Sequence, residues 1–169
     1  MPFKLKKTSA QVKNWNPRVE NHGDEPMLAS DVTFLISAPA GILAEIAGED
    51  GIFDSLLWNA DGMVRDLKFS AIAFDISYEA YKITLFANGG ETTFGDIHMR
   101  KFKAYPKDGR RIELKFQVQI HPTPKQVEAL GQALMSDHVT IRIEAQKNAS
   151  ESTAAAENHE LPLEEPIEA

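Results

Sequence analysis

Between Arg110 and His121 apolar and polar residues alternate without a break. Ile112, Leu114, Phe116, Val118 and Ile120 fall on one side, and Arg111, Glu113, Lys115, Gln117, Gln119 and His121 on the other. A period of two is that of a β-strand with one buried and one solvated face, and it recurs along the chain. Asp31 to Ala38 alternates through Val32, Phe34, Ile36 and Ala38. From Met63, the residues Val64, Leu67 and Phe69 lead into Ile72, Phe74, Ile76 and Tyr78, then Tyr81, Ile83 and Leu85. The phase slips at Glu79-Ala80, which predicts a tight turn or bulge there. Val139, Ile141, Ile143 and Ala145 make a last strand.

The breaks between these runs have turn chemistry. Asn88-Gly89-Gly90 tolerates the positive φ that two-residue hairpins demand. Pro106-Lys107-Asp108-Gly109 predicts a second turn, joining a strand near Ile97 to Tyr105 with the Arg110 to His121 strand. Ile42, Leu43, Ile46, Ile52, Phe53, Leu56 and Leu57 recur at three- and four-residue spacing around Gly48 to Gly51, as two short amphipathic helices would require. Thr123-Pro124-Lys125-Gln126 has the parts of a helix start, namely a capping hydroxyl, a proline in the first turn and a Gln able to bond back to the cap amide. That helix is expected to run to Met135 with Val127, Leu130 and Leu134 buried. The fold class expected is therefore α+β and β-rich: a mainly antiparallel sheet or partly closed barrel with two helical segments and a disordered acidic tail.

Charge divides the chain. Of the net −7, six charges belong to Glu151 to Ala169, which holds six Glu and no Lys or Arg. This tail is too poor in large apolar groups to offset its ordering entropy. Residues 1–30 mix charge, Pro and Asn with scattered apolar groups and read as an N-terminal arm, from which Phe3 and Trp15 can dock on the core. The expected organisation is an arm at 1–30, one β-rich domain at 31–146 and a disordered acidic tail at 147–169. No apolar run approaches the roughly 18 residues of a membrane-spanning helix. Thr8-Ser9-Ala10-Gln11 stands where a secretory signal would be apolar. With no cysteine there is no disulfide, thiolate nucleophile or iron–sulfur cluster. A cytoplasmic location is expected.

The chemistry concentrates between Ile97 and His121, where Arg100, Lys101, Lys103, Lys107, Arg110, Arg111 and Lys115 face only Asp108 and Glu113. Cations that neutralise phosphates, with Phe102 and Tyr105 to stack on bases, are the parts of a nucleic-acid surface. The nucleic-acid-binding set expected is Arg100, Lys101, Phe102, Lys103, Tyr105, Arg111 and Lys115. Catalytic signatures are lacking: no G-x-S-x-G elbow, phosphate-binding Gly loop or dinucleotide fingerprint occurs. Asp108 with Glu113-Leu114-Lys115 is superficially like the Asp…Glu-x-Lys metal site of a nuclease fold, but Asp108 is accounted for by its turn. His22, His98, His121, His138 and His159 have no ligand-like spacing. The expectation is a non-enzymatic protein with no cofactor and no metal. Its partner would be single-stranded DNA or a host or phage protein, with homo-oligomers left open. The alternative function is an inhibitor or adaptor whose acidic tail or sheet edge occupies a host protein.

Two resemblances bear on this. A basic β domain with an acidic tail is similar in outline to bacterial single-strand DNA-binding proteins, although this chain ends Pro166-Ile167-Glu168-Ala169 where their tails end in an acidic run capped by an apolar terminus. Phe116-Gln117-Val118-Gln119-Ile120-His121-Pro122, followed by Gln126 and a helix, resembles uncharacterised phage and prophage proteins encoded near recombination and replication genes. That resemblance implies a phage origin, a bacterial host cytoplasm and an accessory role in DNA metabolism or in countering host defence. It implies no catalytic residues.

Overall fold

The computed structural model describes residues 3–48 and 52–146. The acidic tail expected at 147–169 lies outside the described residues. In chain order the elements are β1 (Leu5–His22), β2 (Glu25–Pro39), α1 (Ile42–Ala47), α2 (Ile52–Leu57), β3 (Ile72–Phe74), β4 (Tyr78–Ala87), β5 (Gly90–Lys107), β6 (Arg111–Ile120), α3 (Pro124–Leu134) and β7 (His138–Ala145). Six strands close an antiparallel barrel in the order β1-β2-β6-β5-β4-β7, with β7 returning to β1 and the short β3 added to β5.

Alternation makes the core. The inward residues of β6, Ile112 to Ile120, are all fully buried. They meet Val32, Phe34 and Ile36 of β2, Ile83 and Leu85 of β4, and Ile141 and Ile143 of β7. Closure depends on β5, which is long enough to serve two partners. Its first half runs against β4, from Ala87↔Gly90 to Tyr78↔Met99. Its second half runs against β6, from His98↔Gln119 to Lys107↔Arg111. The two ladders overlap at His98 and Met99, and a bulge follows between Arg100 and Lys103, where Lys101 takes φ 59°. A bulge adds one residue, bends the strand and reverses which residues face inward beyond it. Met99 is therefore inside, Arg100 and Lys101 lie outside, Phe102 and Ala104 turn in, and Lys103 points out.

Both barrel ends are covered. The excursion from Ala40 to Ala71 lies over the end that holds the β5–β6 turn. There the Trp58 indole donates to the Lys107 carbonyl at 2.7 Å, the Gly109 amide to Gly62 O at 2.8 Å, and the Val64 amide to Asp108 Oδ1 at 2.9 Å. At the other end α3 bridges β6 to β7, burying Leu130, Ala133 and Leu134. Its first turn is tied back as expected, with the Thr123 amide donating to the Gln126 side chain at 3.0 Å.

Several expectations need correction. Residues 1–30 are not an arm: β1 pairs with β2 from Ala10↔Ile36 to His22↔Glu25 and with β7 from Leu5↔Ile143 to Gln11↔His138. Pairing with β7 holds its first half, and pairing with β2 overrides the weak strand propensity of the Asn and Pro in its second. Phe3 is buried, and Trp15 packs near Gly131 of α3 while its indole donates to Ser30 Oγ at 3.3 Å. Past Gln11, β1 has only β2 beside it, and the hairpin tip projects from the barrel with Val19 67% exposed. The stretch from Met63 to Ala71 is irregular apart from a bridge at Val64, and β5 begins at Gly90 rather than near Ile97. Pro106 lies in β5 opposite Ile112, and the loop is Asp108 to Arg110. Val127 is 36% exposed, since the buried stripe of α3 is Leu130, Ala133 and Leu134. The slip at Glu79-Ala80 is as expected, with Ala80 at φ 58° between two register shifts. So is the Asn88-Gly89 turn, with φ 53° and 77°.

The Phe102 ring is stacked on Phe116 at 5.5 Å and meets Phe3 and Tyr78 edge-on at 6.0 and 5.6 Å. Phe102→Ala should therefore cost about 3–5 kcal/mol in denaturant unfolding. A loss under about 1 kcal/mol would mean that the bulge does not turn this ring inward.

Candidate nucleic-acid interface

The outer faces of β1, β2, β6 and β5 form one continuous surface, polar except for residues such as Met27 and Leu35 of β2, because the outward residues of each strand lie beside those of the next. Lys115 is opposite Leu35 on one side and Lys103 on the other, and Gln117 is opposite Arg100. Of the seven residues expected to bind nucleic acid, Arg100, Lys101, Lys103, Tyr105, Arg111 and Lys115 are on this surface. Phe102 is not. It is buried in the core, reversed by the bulge, and cannot stack on a base.

The charges here are unevenly compensated. Lys107 is held by Glu113 at 3.2 Å, and Arg110 by Asp54 at 3.0 Å. The Arg100 guanidinium donates to neutral Gln117 at 2.9 Å and that of Arg111 to Ser37 at 3.1 Å. Among the described residues, Arg100, Lys101, Lys103, Arg111 and Lys115 have no acidic partner within 4.0 Å. Lys103 and Lys115 stand directly across from each other. A like-charge pair in that position is unfavourable by a few tenths of a kcal/mol or more. On the opposite side of the barrel, Lys82 and Arg142 share Glu144 at 3.3 and 3.9 Å. Apart from Lys107, the cations of β5 and β6 are thus uncompensated among the described residues, where Lys82 of β4 and Arg142 of β7 share a carboxylate.

Asp108 and Glu113 each have a structural partner. Asp108 accepts the Val64 amide, and Glu113 holds Lys107.

At the end of the same surface lies a grouping that sequence spacing hid. Glu20 and His22 are two apart on β1 and share its outer face, while His121 follows β6, 101 residues from Glu20. Glu20 Oε2 lies 3.3 Å from both His22 Nε2 and His121 Nε2. Its other oxygen, Oε1, accepts Arg18 at 2.5 Å and Gln119 at 3.2 Å. Arg18 also pairs with Asp31. The hydrogen bonds from His121, Arg18 and His22, in that order, pull the Glu20 carboxyl down from 4.5 to about 2. The expectation that the histidines stand apart is corrected by this convergence, which β2 creates by lying between β1 and β6. The alternation of Arg18, Glu20 and His22 on one side of β1 was the available signal.

Compared with known protein families, with curated proteins and with solved structures, the chain matches none.

A carboxyl whose folded pKa is depressed stabilises the fold above its unfolded pKa, and that contribution is lost as pH falls through the folded value. In metal-free buffer, stability should drop between about pH 4.5 and about pH 2. Glu20→Gln should remove that part of the slope. Identical slopes in urea unfolding series of the two proteins would contradict the assignment.

Proposed function

We propose that this chain is a non-enzymatic accessory protein of phage or prophage origin that binds single-stranded DNA across the outer face of β5 and β6. The observation that carries the reading is the cluster of Arg100, Lys101, Lys103, Arg111 and Lys115, including two lysines opposed across the strands, with no acid to pair them among the described residues. A folded protein that leaves such repulsion in place loses stability. Phosphates would relieve it by taking the positions that carboxylates occupy elsewhere on the barrel. Tyr105, half-buried on the same face and opposite Glu113, supplies a ring on which a base can rest. A convex strand surface has no helix to insert into a duplex groove and suits a strand whose bases are splayed. The acidic tail, tethered to the domain, competes for the same cations and lowers the apparent affinity.

Fluorescence anisotropy of a labelled oligothymidine should show binding that weakens steeply with salt. A chain ending at Lys147 should bind equally well or more tightly. Lys103→Glu separates binding from folding, because it replaces a repulsive pair with an attractive one. It should leave stability unchanged or raise it by up to about 1 kcal/mol, while affinity falls at least tenfold. Removing one phosphate-neutralising cation should flatten the log K against log salt slope by about 0.7. Tyr105→Ala should cost about 1–3 kcal/mol of binding with the slope kept. Salt-independent binding, or full affinity in Lys103→Glu, would overturn the proposal. If the truncated chain instead lost its partner, the tail would be the binding element and the inhibitor reading would take over.

A further inference from the structure

We propose that Glu20, His22 and His121 form a binding site for a divalent transition-metal ion of the zinc class, bridging the projecting β1–β2 hairpin to the end of β6. The donor atoms are Glu20 Oε2 and the Nε2 atoms of the two histidines, and all three lie within 4.8 Å of one another. A tetrahedral ion about 2.0–2.1 Å from each donor holds its donors about 3.3–3.4 Å apart. Both carboxylate-to-imidazole separations are 3.3 Å. An ion entering the space between them needs little displacement of the donors.

The surroundings are those of a ligand set rather than a chance contact. Glu20 is oriented by Arg18 and Gln119 through Oε1 alone, which leaves Oε2 turned to the histidines. Partners that fix a ligating carboxylate in this way raise metal affinity. Arg18 brings a positive charge close, but it is shared with Asp31, so Arg18, Glu20 and Asp31 together carry one net negative charge. Asp31 Oδ1 is buried without a hydrogen-bond partner, which adds to the negative potential. Two imidazoles and one carboxylate select zinc, cobalt, nickel or copper over magnesium and calcium, which prefer oxygen donors. The chain has no cysteine to compete for the ion.

The consequence of binding is mechanical. Beyond Gln11, β1 is laddered only to β2, and β2 reaches β6 only from Ser30 onward. The hairpin tip therefore depends on its own turn and on side chains to hold its position. An ion shared by His22 and His121 would fasten that tip to the corner before Pro122. His22 is the more exposed histidine, at 54%, and the fourth metal position opens to solvent on its side.

The test is titration of the untagged, chelator-stripped full chain with Zn²⁺ alone, followed by calorimetry and by thermal unfolding. One ion per chain is expected, with Tm raised by on the order of 5–10 °C at a hundredfold excess over Kd. His22→Gln, His121→Gln and Glu20→Gln should each weaken binding at least tenfold, and His138→Gln should not. Because His22 is exposed and is only one of the partners of Glu20, His22→Gln should still fold, with a metal-free Tm lowered slightly by the lost hydrogen bond, so loss of binding there is not loss of structure. Co²⁺ in place of Zn²⁺ should give the strong visible absorption of a tetrahedral site. Absence of stoichiometric binding, or Zn²⁺ binding that survives His22→Gln and His121→Gln, would overturn the proposal.

Discussion

The charge on the outer surface depends on the bulge in β5. This strand joins β4 to β6, its two ladders overlapping at His98 and Met99, and the extra residue at Lys101 follows just beyond, where β3 lies beside it. A single inserted residue has two effects. It bends the strand, and it reverses facing so that Phe102 enters the core beside Phe116. The same reversal places Arg100, Lys101 and Lys103 together on the outside. The aromatic stack within and the concentration of positive charge without are thus one event in the backbone, favourable on the first side and electrostatically unfavourable on the second.

The rest of the molecule supports that strand. The Ala40 to Ala71 excursion grips the β5–β6 turn through Trp58, Gly62 and Val64. Arg110 of that turn is drawn into the excursion by Asp54 and by the Asn59 and Ala60 carbonyls. This separates the structural cations from the uncompensated ones: Arg110 and Lys107 fasten the barrel end, while Lys103 and Lys115 have no such task. At the opposite end α3 seals the barrel, and Gln126 reaches back to the Thr93 carbonyl of β5 at 3.2 Å. The strands that carry the charge are laddered on both edges, β6 to β2 and β5, and β5 to β6 and to β4 or β3.

What was legible in the sequence is what local chemistry determines. The alternation of β6 placed every one of its side chains correctly, and the Asn88-Gly89 turn, the slip at Ala80 and the capped start of α3 followed from residues whose preferences are local. What was not legible depends on distant pairing. β1 reads as an arm because Asn14, Asn16 and Pro17 are poor strand formers, and only the ladder to β2 makes that half of it a strand. The bulge in β5 carries no glycine to announce it, so Phe102, set among cations in the sequence, reads as a surface aromatic though it lies in the core. Glu20 and His22 meet His121 only because β2 lies between their strands, an order that no spacing along the chain encodes.

The central claim is that the reversed segment of β5, with β6, presents its uncompensated cations to a single strand of DNA. Amide chemical-shift mapping of the full chain with an oligothymidine at low salt tests it most directly. The account predicts shifts at Arg100, Lys101, Lys103, Tyr105, Arg111 and Lys115, reversed by added salt, with Lys82 and Arg142 unmoved. Shifts centred on β4 and β7, or none at saturating oligonucleotide, would contradict it.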